Sequence, residues 1–385
     1  MYNINNLNSN HIKKHHDKIE NHIENEHNFT KIWNEKCKKY NNTQPFILPP
    51  VNRIIVIGDL HGDWETTIKS LKLGKLIDNN NNWIGGDTVV VQVGDQIDRC
   101  RLNGIPCENI NATLDDEASD IKILEFFTNL HMQAQKYGGA VYSLLGNHEI
   151  MNVEQDFRYV SYKGFKQFEN YKIDNNIVKD GKTVRSYLFK PGNKISEFLA
   201  CTRQVALIIG SNIFIHAGIL PIIAEKYSVK SINQIMTLYL LDRIKDSDEN
   251  YNTIFNGNDY SPLWNRIYGN LVINKNNNLN TCNNLIAPLQ FIYNIDKIYI
   301  GHTPNMQNGI SSICNDKIWL TDYGASKAFN QFHLKNKKYI QVLEILNDGE
   351  KFNILKEKIS SKVHHKSKIK IESLYNYSNF IFEKK

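Results

Sequence analysis

Short apolar runs recur along the chain, and most are followed at once by polar residues that can do chemistry. Arg53-Ile54-Ile55-Val56-Ile57, Thr88-Val89-Val90-Val91-Gln92-Val93 and Ala140-Val141-Tyr142-Ser143-Leu144-Leu145 lack the strict alternation of half-exposed strands. Their length and β-branched content predict strands covered on both faces. Runs at 205–209 and 213–215 flank Gly210-Ser211-Asn212 and predict a hairpin. Lys297-Ile298-Tyr299-Ile300 and Ile318-Trp319-Leu320 are further strands. Helices are expected at 63–73, 119–137 and 231–243. In the second, Ile123, Leu124, Phe127, Leu130, Ala134 and Tyr137 recur at helical spacing before Gly138-Gly139 stops it; in the third, Ser231 and Gln234 are spaced as a capping box. Strand, helix, strand in this order implies right-handed crossovers and a largely parallel sheet.

The ends of the chain lack this pattern. Residues 1–48 are rich in Asn, His and Lys and predict a solvated arm, disordered or loosely helical. His11, His15, His16, His22 and His27 have no apolar framework there to fix a metal geometry. Pro45 and Pro49-Pro50 mark entry to a folded domain expected over 49–350. Residues 101–117 and the Asn-rich stretch 246–285 are expected to be irregular, and a Lys-rich tail is expected from 351.

Composition narrows the function classes. The 385 residues carry a net charge of +6 with no block of five or six like charges, so the charge serves solubility and no nucleic-acid partner is expected. The longest uncharged stretch, 205–224, contains Gly210-Ser211-Asn212, His216, Gly218 and Pro221. It suits two buried strands better than a membrane span. No secretory signal or mitochondrial presequence is visible, so a cytoplasmic protein is expected. Cys37, Cys100, Cys107, Cys201, Cys282 and Cys314 form no Cys-x-x-Cys pair and are expected as reduced thiols.

Five stretches after strands carry the chemistry: Gly58-Asp59-Leu60-His61-Gly62, Gly94-Asp95-Gln96-Ile97-Asp98-Arg99, Gly146-Asn147-His148-Glu149, His216-Ala217-Gly218 and Gly301-His302-Thr303. Any one alone could be a turn or an ion-paired loop. Together they bring Asp59, His61, Asp95, Asn147, His216 and His302 to strand ends, where open α/β sheets place ligands. Mixed oxygen and imidazole donors suit Mn, Fe or Zn better than Ca or Mg. One carboxylate can bridge two such ions at roughly 3.5–4 Å, the separation that serves in-line displacement at phosphorus.

In order and spacing these stretches resemble the phosphoprotein phosphatase superfamily of metallophosphoesterases across roughly 51–330. The likeness is greatest to the Shewanella-like protein phosphatases. It rests on Ile150-Met151-Asn152, Asp156-Phe157-Arg158-Tyr159-Val160-Ser161, Pro262-Leu263-Trp264-Asn265-Arg266 and Asp322-Tyr323-Gly324-Ala325-Ser326-Lys327-Ala328-Phe329. The resemblance implies an α/β metallophosphoesterase (calcineurin-like) fold, two mixed β-sheets in a sandwich flanked by helices. It implies one metal on Asp59, His61 and Asp95 and a second on Asp95, Asn147, His216 and His302, with a bridging hydroxide as nucleophile. His148 is implied as general acid and Asp98 as the carboxylate that orients it; Arg99 is implied as the phosphate clamp, with Asn147 also contacting substrate. Arg266 is implied as a candidate second clamp, on the Trp-x-Arg triplet alone.

Glu149 is expected to play a structural part behind the ligands, and Arg158 to face substrate or form a surface ion pair. Cys100 stands where the family has Gly. A Cys100–Cys107 disulfide that tunes activity is the alternative to two unpaired thiols, and the thiols are expected. The implied activity is metal-dependent hydrolysis of phosphate monoesters on phosphorylated proteins or peptides. Dinucleoside tetraphosphate hydrolysis and an inactive phosphoprotein-binding scaffold are the alternatives.

Overall fold

The computed structural model describes residues 8–40, 45–256, 259–273, 279–332 and 339–358. In chain order its strands are β1 (Ile47–Leu48), β2 (Arg53–Ile57), β3 (Val89–Gln92), β4 (Ala140–Leu144), β5 (Tyr171–Ile173), β6 (Asn176–Val178), β7 (Arg203–Gln204), β8 (Ala206–Ile209), β9 (Asn212–Ile215), β10 (Lys297–Ile300), β11 (Ser311–Ile313), β12 (Ile318–Leu320), β13 (Tyr339–Leu346) and β14 (Lys351–Lys358). Two six-stranded sheets form, in the orders β14-β13-β2-β3-β4-β7 and β1-β8-β9-β10-β12-β11; β5 and β6 make a separate hairpin. Both large sheets are mixed. β2, β3 and β4 run parallel with β13 antiparallel at their flank, and β9, β10 and β12 run parallel between antiparallel β8 and β11.

Alternation along these largely apolar strands fills three layers. Ile54, Val56, Val89 and Val91 face the second sheet and meet Leu207, Ile209, Phe214, Tyr299 and Trp319. Ile55, Ile57, Val90 and Val141 face outward, onto Leu71, Ile123, Phe127 and Leu130 of the helices Trp64–Leu73 and Asp120–Gln135. On the far side, Ile213, Ile215, Ile298, Ile300 and Leu320 share a core with Ile232, Ile235 and Met236 of the helix Val229–Leu240 and with Ile286 and Leu289 of Leu279–Tyr293. A fully buried aliphatic side chain contributes about 1.5–3 kcal/mol. These two-sided strands are therefore rigid enough to hold unfavourable backbone at their ends.

Several expectations need correction. Residues 9–36 are not a solvated arm: they form the helices Ser9–His27 and Phe29–Lys36, and Ile12, Ile23 and Phe29 are buried. Ile12, Ile19 and Ile23 lie seven and four apart and make one apolar stripe, which the surrounding Asn, Lys and His hide in a composition reading. Polar contacts finish the docking. His16 Nε2 meets the Ala224 carbonyl at 2.9 Å, and Glu20 accepts from Ser228 and Lys230. The stretch 246–285 holds helices, not only loops: Glu249–Phe255, Ile267–Ile273 and the start of Leu279–Tyr293. There Tyr251, Ile254, Tyr268, Leu271 and Cys282 reach the core between the asparagines.

The helix expected from Ser231 begins at Val229, and Ser228, not Ser231, caps it. The first residues of the expected tail form β14, paired along its length with β13; the remainder lies outside the described residues. All six cysteines are paired, as Cys37–Cys201, Cys100–Cys107 and Cys282–Cys314, where reduced thiols were expected. Cys100–Cys107 is the pairing weighed above as the alternative; separations of 164 and 32 belong to no spacing motif, so only the fold could reveal the other two pairs. Among the described residues no helix is long and apolar enough to cross a membrane, and most of 205–224 is the β8–β9 hairpin and the loop beyond it.

Candidate active site

Asp59 and His61 follow β2, Asp95 and Asp98 follow β3, and Asn147 and His148 open the short helix Asn147–Val153 after β4. His216 and His302 follow β9 and β10 in the other sheet. All are buried. The glycines of the motifs let these strand ends touch. A Cβ on Gly146 would sit 2.1 Å from Asp95 Oδ1, and one on Gly301 would sit 2.2 Å from Asp59 Oδ1. His61, Asp95, Asp98 and His302 have φ of 44°, 53°, 71° and 65°, the left-handed region that non-glycine residues avoid. Such backbone persists where the surrounding structure over-determines it, most often at functional sites.

The imidazoles are oriented as candidate ligands. A carbonyl can only accept, so a ring nitrogen that faces one carries the proton. His216 Nδ1 faces the Val93 carbonyl at 2.8 Å, His302 Nε2 that of Trp264 at 2.8 Å, and His61 Nδ1 that of Ile97 at 3.3 Å. The other nitrogen of each ring points inward, the arrangement that orients metal-bound histidines. His216 Nε2 and His302 Nδ1 each lie 2.9 Å from Asn147 Oδ1, and His216 Nε2 is 3.4 Å from Asp95 Oδ2. His61 Nε2 is 3.8 Å from Asp95 Oδ2 and 3.9 Å from Asp59 Oδ2.

Charges agree with this. Burial opposes ionisation of Asp95, but His216, His148 and His61 hold its carboxylate well below the usual range. Burial, then Asp322 and Asp95, push Asp59 well above it, an excess of negative charge that a cation relieves. Burial holds His61 and His302 low and neutral, as ligands must be. His216 differs: burial lowers it, yet Asp95 lifts it above its ordinary value. Convergent carboxylate, amide and imidazole donors of this kind fit divalent metal ions.

His148 also comes within 4.8 Å of His61 and Asp95, but its partner differs in kind. Its Nδ1 meets Asp98 Oδ2 at 2.9 Å, a carboxylate in place of a carbonyl. Asp98 is held in turn by Asn152 Nδ2 and by Arg185 Nη2, and Arg185 also bonds Asn152 Oδ1 and Asp120 Oδ2. The sequence reading missed Arg185 and the part played by Asn152. Arg185 lies 87 residues from Asp98 in a helix, with no motif around it. Glu149 does lie behind the ligands: it accepts from the backbone N–H of Asp95, Gln96 and Gly146, and burial with Asp95 nearby pushes it to about 7.

The arginines rearrange the expectation. Arg99 does not reach this cluster. Its side chain is 1% exposed and bonds Glu117 at 2.9 Å, the Gly62 and Asp115 carbonyls, and Asp63 at 3.3 Å. The reversed φ at Asp98 turns the chain so that Arg99 enters this ionic pocket while Arg101, which the sequence reading passed over, lies beside the site. Arg266 does come close: its Nη1 donates to the His302 carbonyl at 3.0 Å and lies 3.4 Å from Thr303 Oγ1. Arg158 pairs with Asp156 on the surface. Met151, Asp156, Arg158, Tyr251 and Trp264 line a cavity of about 560 Å³. It adjoins the cluster, because Met151 Sδ lies 3.8 Å from Asn147 Nδ2 and the Trp264 ring 6.1 Å from that of His302.

A two-sheet sandwich whose strand ends gather carboxylate, amide and imidazole donors beside a histidine–aspartate pair defines a metallophosphoesterase. The calcineurin-like phosphoesterase family matches residues 52–306, and the chain belongs to that family. It is 38% identical over 58% of its length to 95% of the uncharacterized protein R398 of Acanthamoeba polyphaga mimivirus. It is 29% identical over 71% of its length to 72% of Shewanella-like protein phosphatase 2 of Arabidopsis thaliana. It shares a fold with the cold-active protein-tyrosine phosphatase of a psychrophilic Shewanella species (TM-score 0.54, 19% identity, 82% of this chain and 84% of that one).

Proposed function

We propose that this protein removes phosphate from phosphorylated side chains of proteins or peptides. The observation that carries the reading is the His148–Asp98 pair, 2.9 Å apart and set against the Asp95 carboxylate that both sheets share. Asp59, His61 and Asp95 would hold one divalent ion and Asp95, Asn147, His216 and His302 another, with Mn, Fe and Zn all suited to the donors. Such ions supply Lewis-acid polarisation of the phosphoryl group and a water nucleophile at neutral pH.

The chain's own residues do the rest. Asp98 accepts from the Nδ1–H of His148 and turns Nε2 to the site; in the doubly protonated imidazolium, Nε2–H gives its proton to the leaving oxygen and the ring becomes neutral with Nδ1–H kept on Asp98. Asn152 and Arg185 keep Asp98 from rotating away. Arg266, at the His302 end, contacts phosphate oxygens. The adjoining cavity accepts the residues that flank the phosphorylated one. The names of the Arabidopsis and Shewanella proteins, a protein phosphatase and a protein-tyrosine phosphatase, support a protein substrate.

Initial rates on phosphotyrosine and phosphothreonine peptides, measured in Mn²⁺ and after chelation, test this. Metal-dependent release from either is expected, and the ratio gives the specificity class. Cleavage of a dinucleoside tetraphosphate with neither peptide touched would overturn it.

A further inference from the structure

We propose that Arg101, and not Arg99, is the guanidinium of this loop that receives the phosphoryl oxygens; the assignment rests on the phosphomonoester reading above. The two arginines stand two residues apart in opposite surroundings. Both terminal nitrogens of Arg99 are engaged, Nη1 by Glu117, Asp63 and the Gly62 carbonyl and Nη2 by the Asp115 carbonyl. Turning it toward substrate would strip buried Asp63 of its cation, and a buried charge left unpaired is strongly destabilising.

Arg101 has none of these obligations. Its Nη1 donates to the Asp98 carbonyl at 3.2 Å and the Cys100 carbonyl at 2.7 Å. Among the described residues no other hydrogen bond or close ion pair engages it, so Nε and Nη2 are left to donate. Its position is fixed by aromatic rings. The guanidinium carbon lies 4.5 Å from the Phe329 centroid and 5.6 Å from that of Tyr159. The Phe329 ring is in turn 5.4 Å from the His61 ring, and the Tyr159 ring 4.9 Å from the His148 ring. The cation is thus wedged between two rings, one leaning on a metal-ligand histidine and the other on the proton donor.

Asp59, Asp95, Asp98, Asp322 and His61 all lie within its electrostatic reach. The acids draw the guanidinium to the cluster without pairing with it directly, which leaves its planar fork to match a phosphate edge. The backbone beneath is pinned on either side of the turn: Cys100 is tied to Cys107, and its N–H donates to the Tyr159 carbonyl at 3.1 Å. Phosphate would then lie between Arg101, at the His61 and His148 end, and Arg266, at the His302 end.

The test uses the full chain loaded with Mn²⁺ and inorganic phosphate as the probe, read both as a competitive inhibitor of p-nitrophenyl phosphate hydrolysis and as a ligand that raises the melting temperature. Arg101→Ala is expected to raise the inhibition constant of phosphate, and KM, by about 10- to 100-fold, and to abolish the phosphate-induced rise in Tm with metal content unchanged. Arg101→Lys, which keeps the charge and loses the fork, is expected to fall between and guards against a folding defect in the alanine variant. Arg99→Ala is expected to lower the melting temperature before phosphate is added. An unchanged phosphate constant in Arg101→Ala would overturn the assignment, as would an equal or larger loss of phosphate affinity in Arg99→Ala. If the wild-type chain hydrolyses no monoester, the functional reading fails, and the thermal response to phosphate still decides the role of Arg101.

Discussion

The first sheet brings functional residues to the site in pairs, and the second brings them singly. β2, β3 and β4 end in Asp59 with His61, Asp95 with Asp98 and Asn147 with His148; β9 and β10 end in His216 and His302 alone. The loops of the first sheet also brace one another through backbone. Leu60 and His61 donate to the Asp95 carbonyl, Asp95 and Gln96 donate to Glu149, and His148 N–H donates to Asp95 Oδ1. The second sheet is joined across the seam by fewer bonds, chiefly His216 Nδ1 to Val93 and His302 N–H to Asp59. On the proposed mechanism, proton transfer would belong to one sheet, built stiffly, whereas the metal cluster would need both. Asp95 and Asn147 are the residues at which the sheets' ligand sets meet.

The largest break in this comparison is Asp95→Asn. It removes the charge that both ligand sets share and is expected to abolish metal binding and turnover together, measured as bound metal per chain and as rate. Full metal content with normal turnover would dissolve the idea of a shared seam. Next comes His148→Asn, confined to the first sheet. It is expected to keep its metal and to slow hydrolysis of esters with poor leaving groups by roughly 10²–10⁴-fold. A parallel loss of metal would place His148 among the ligands, since it lies within 4.8 Å of His61 and Asp95.

The smallest effect lies behind the first sheet, away from the seam. Buried His131 accepts from the Val141 N–H at 3.2 Å, and burial lowers it to about 4. Its folded value lies below the unfolded one, so the unfolded chain takes up the proton first. Stability is full above about pH 6.5 and falls between there and pH 4, by at most about 3 kcal/mol. Chemical denaturation of the metal-free protein across this window is expected to show the slope, and His131→Asn to flatten it; an unchanged slope would show that other groups carry it.

Much of this architecture is legible in the residues alone. Runs such as Val89-Val90-Val91 can be stable only with both faces covered, and the chemistry-bearing residues directly after them can go nowhere but the strand ends. The histidine–aspartate pair and the six candidate ligands are readable for that reason. Less is legible in the helical layers. The Asn, His and Lys residues of 9–36 conceal a stripe of three isoleucines, and the asparagines of 246–285 conceal residues that face the core. Average polarity says little when a helix needs only one apolar face.

The sequence by itself determined the strands that carry the site, the glycines that let their ends touch and the residues displayed there, because each depends on short apolar runs or on neighbours a few positions away. The tertiary structure decided which buried groups became partners. It set Arg185 on Asp98, paired Cys37 with Cys201, docked the N-terminal helices, and sent Arg99 to Asp63 and Glu117 while leaving Arg101 beside the candidate metal ligands. A buried charge or thiol takes the partner that packing brings within a few ångströms, and distance along the chain carries almost no information about that choice.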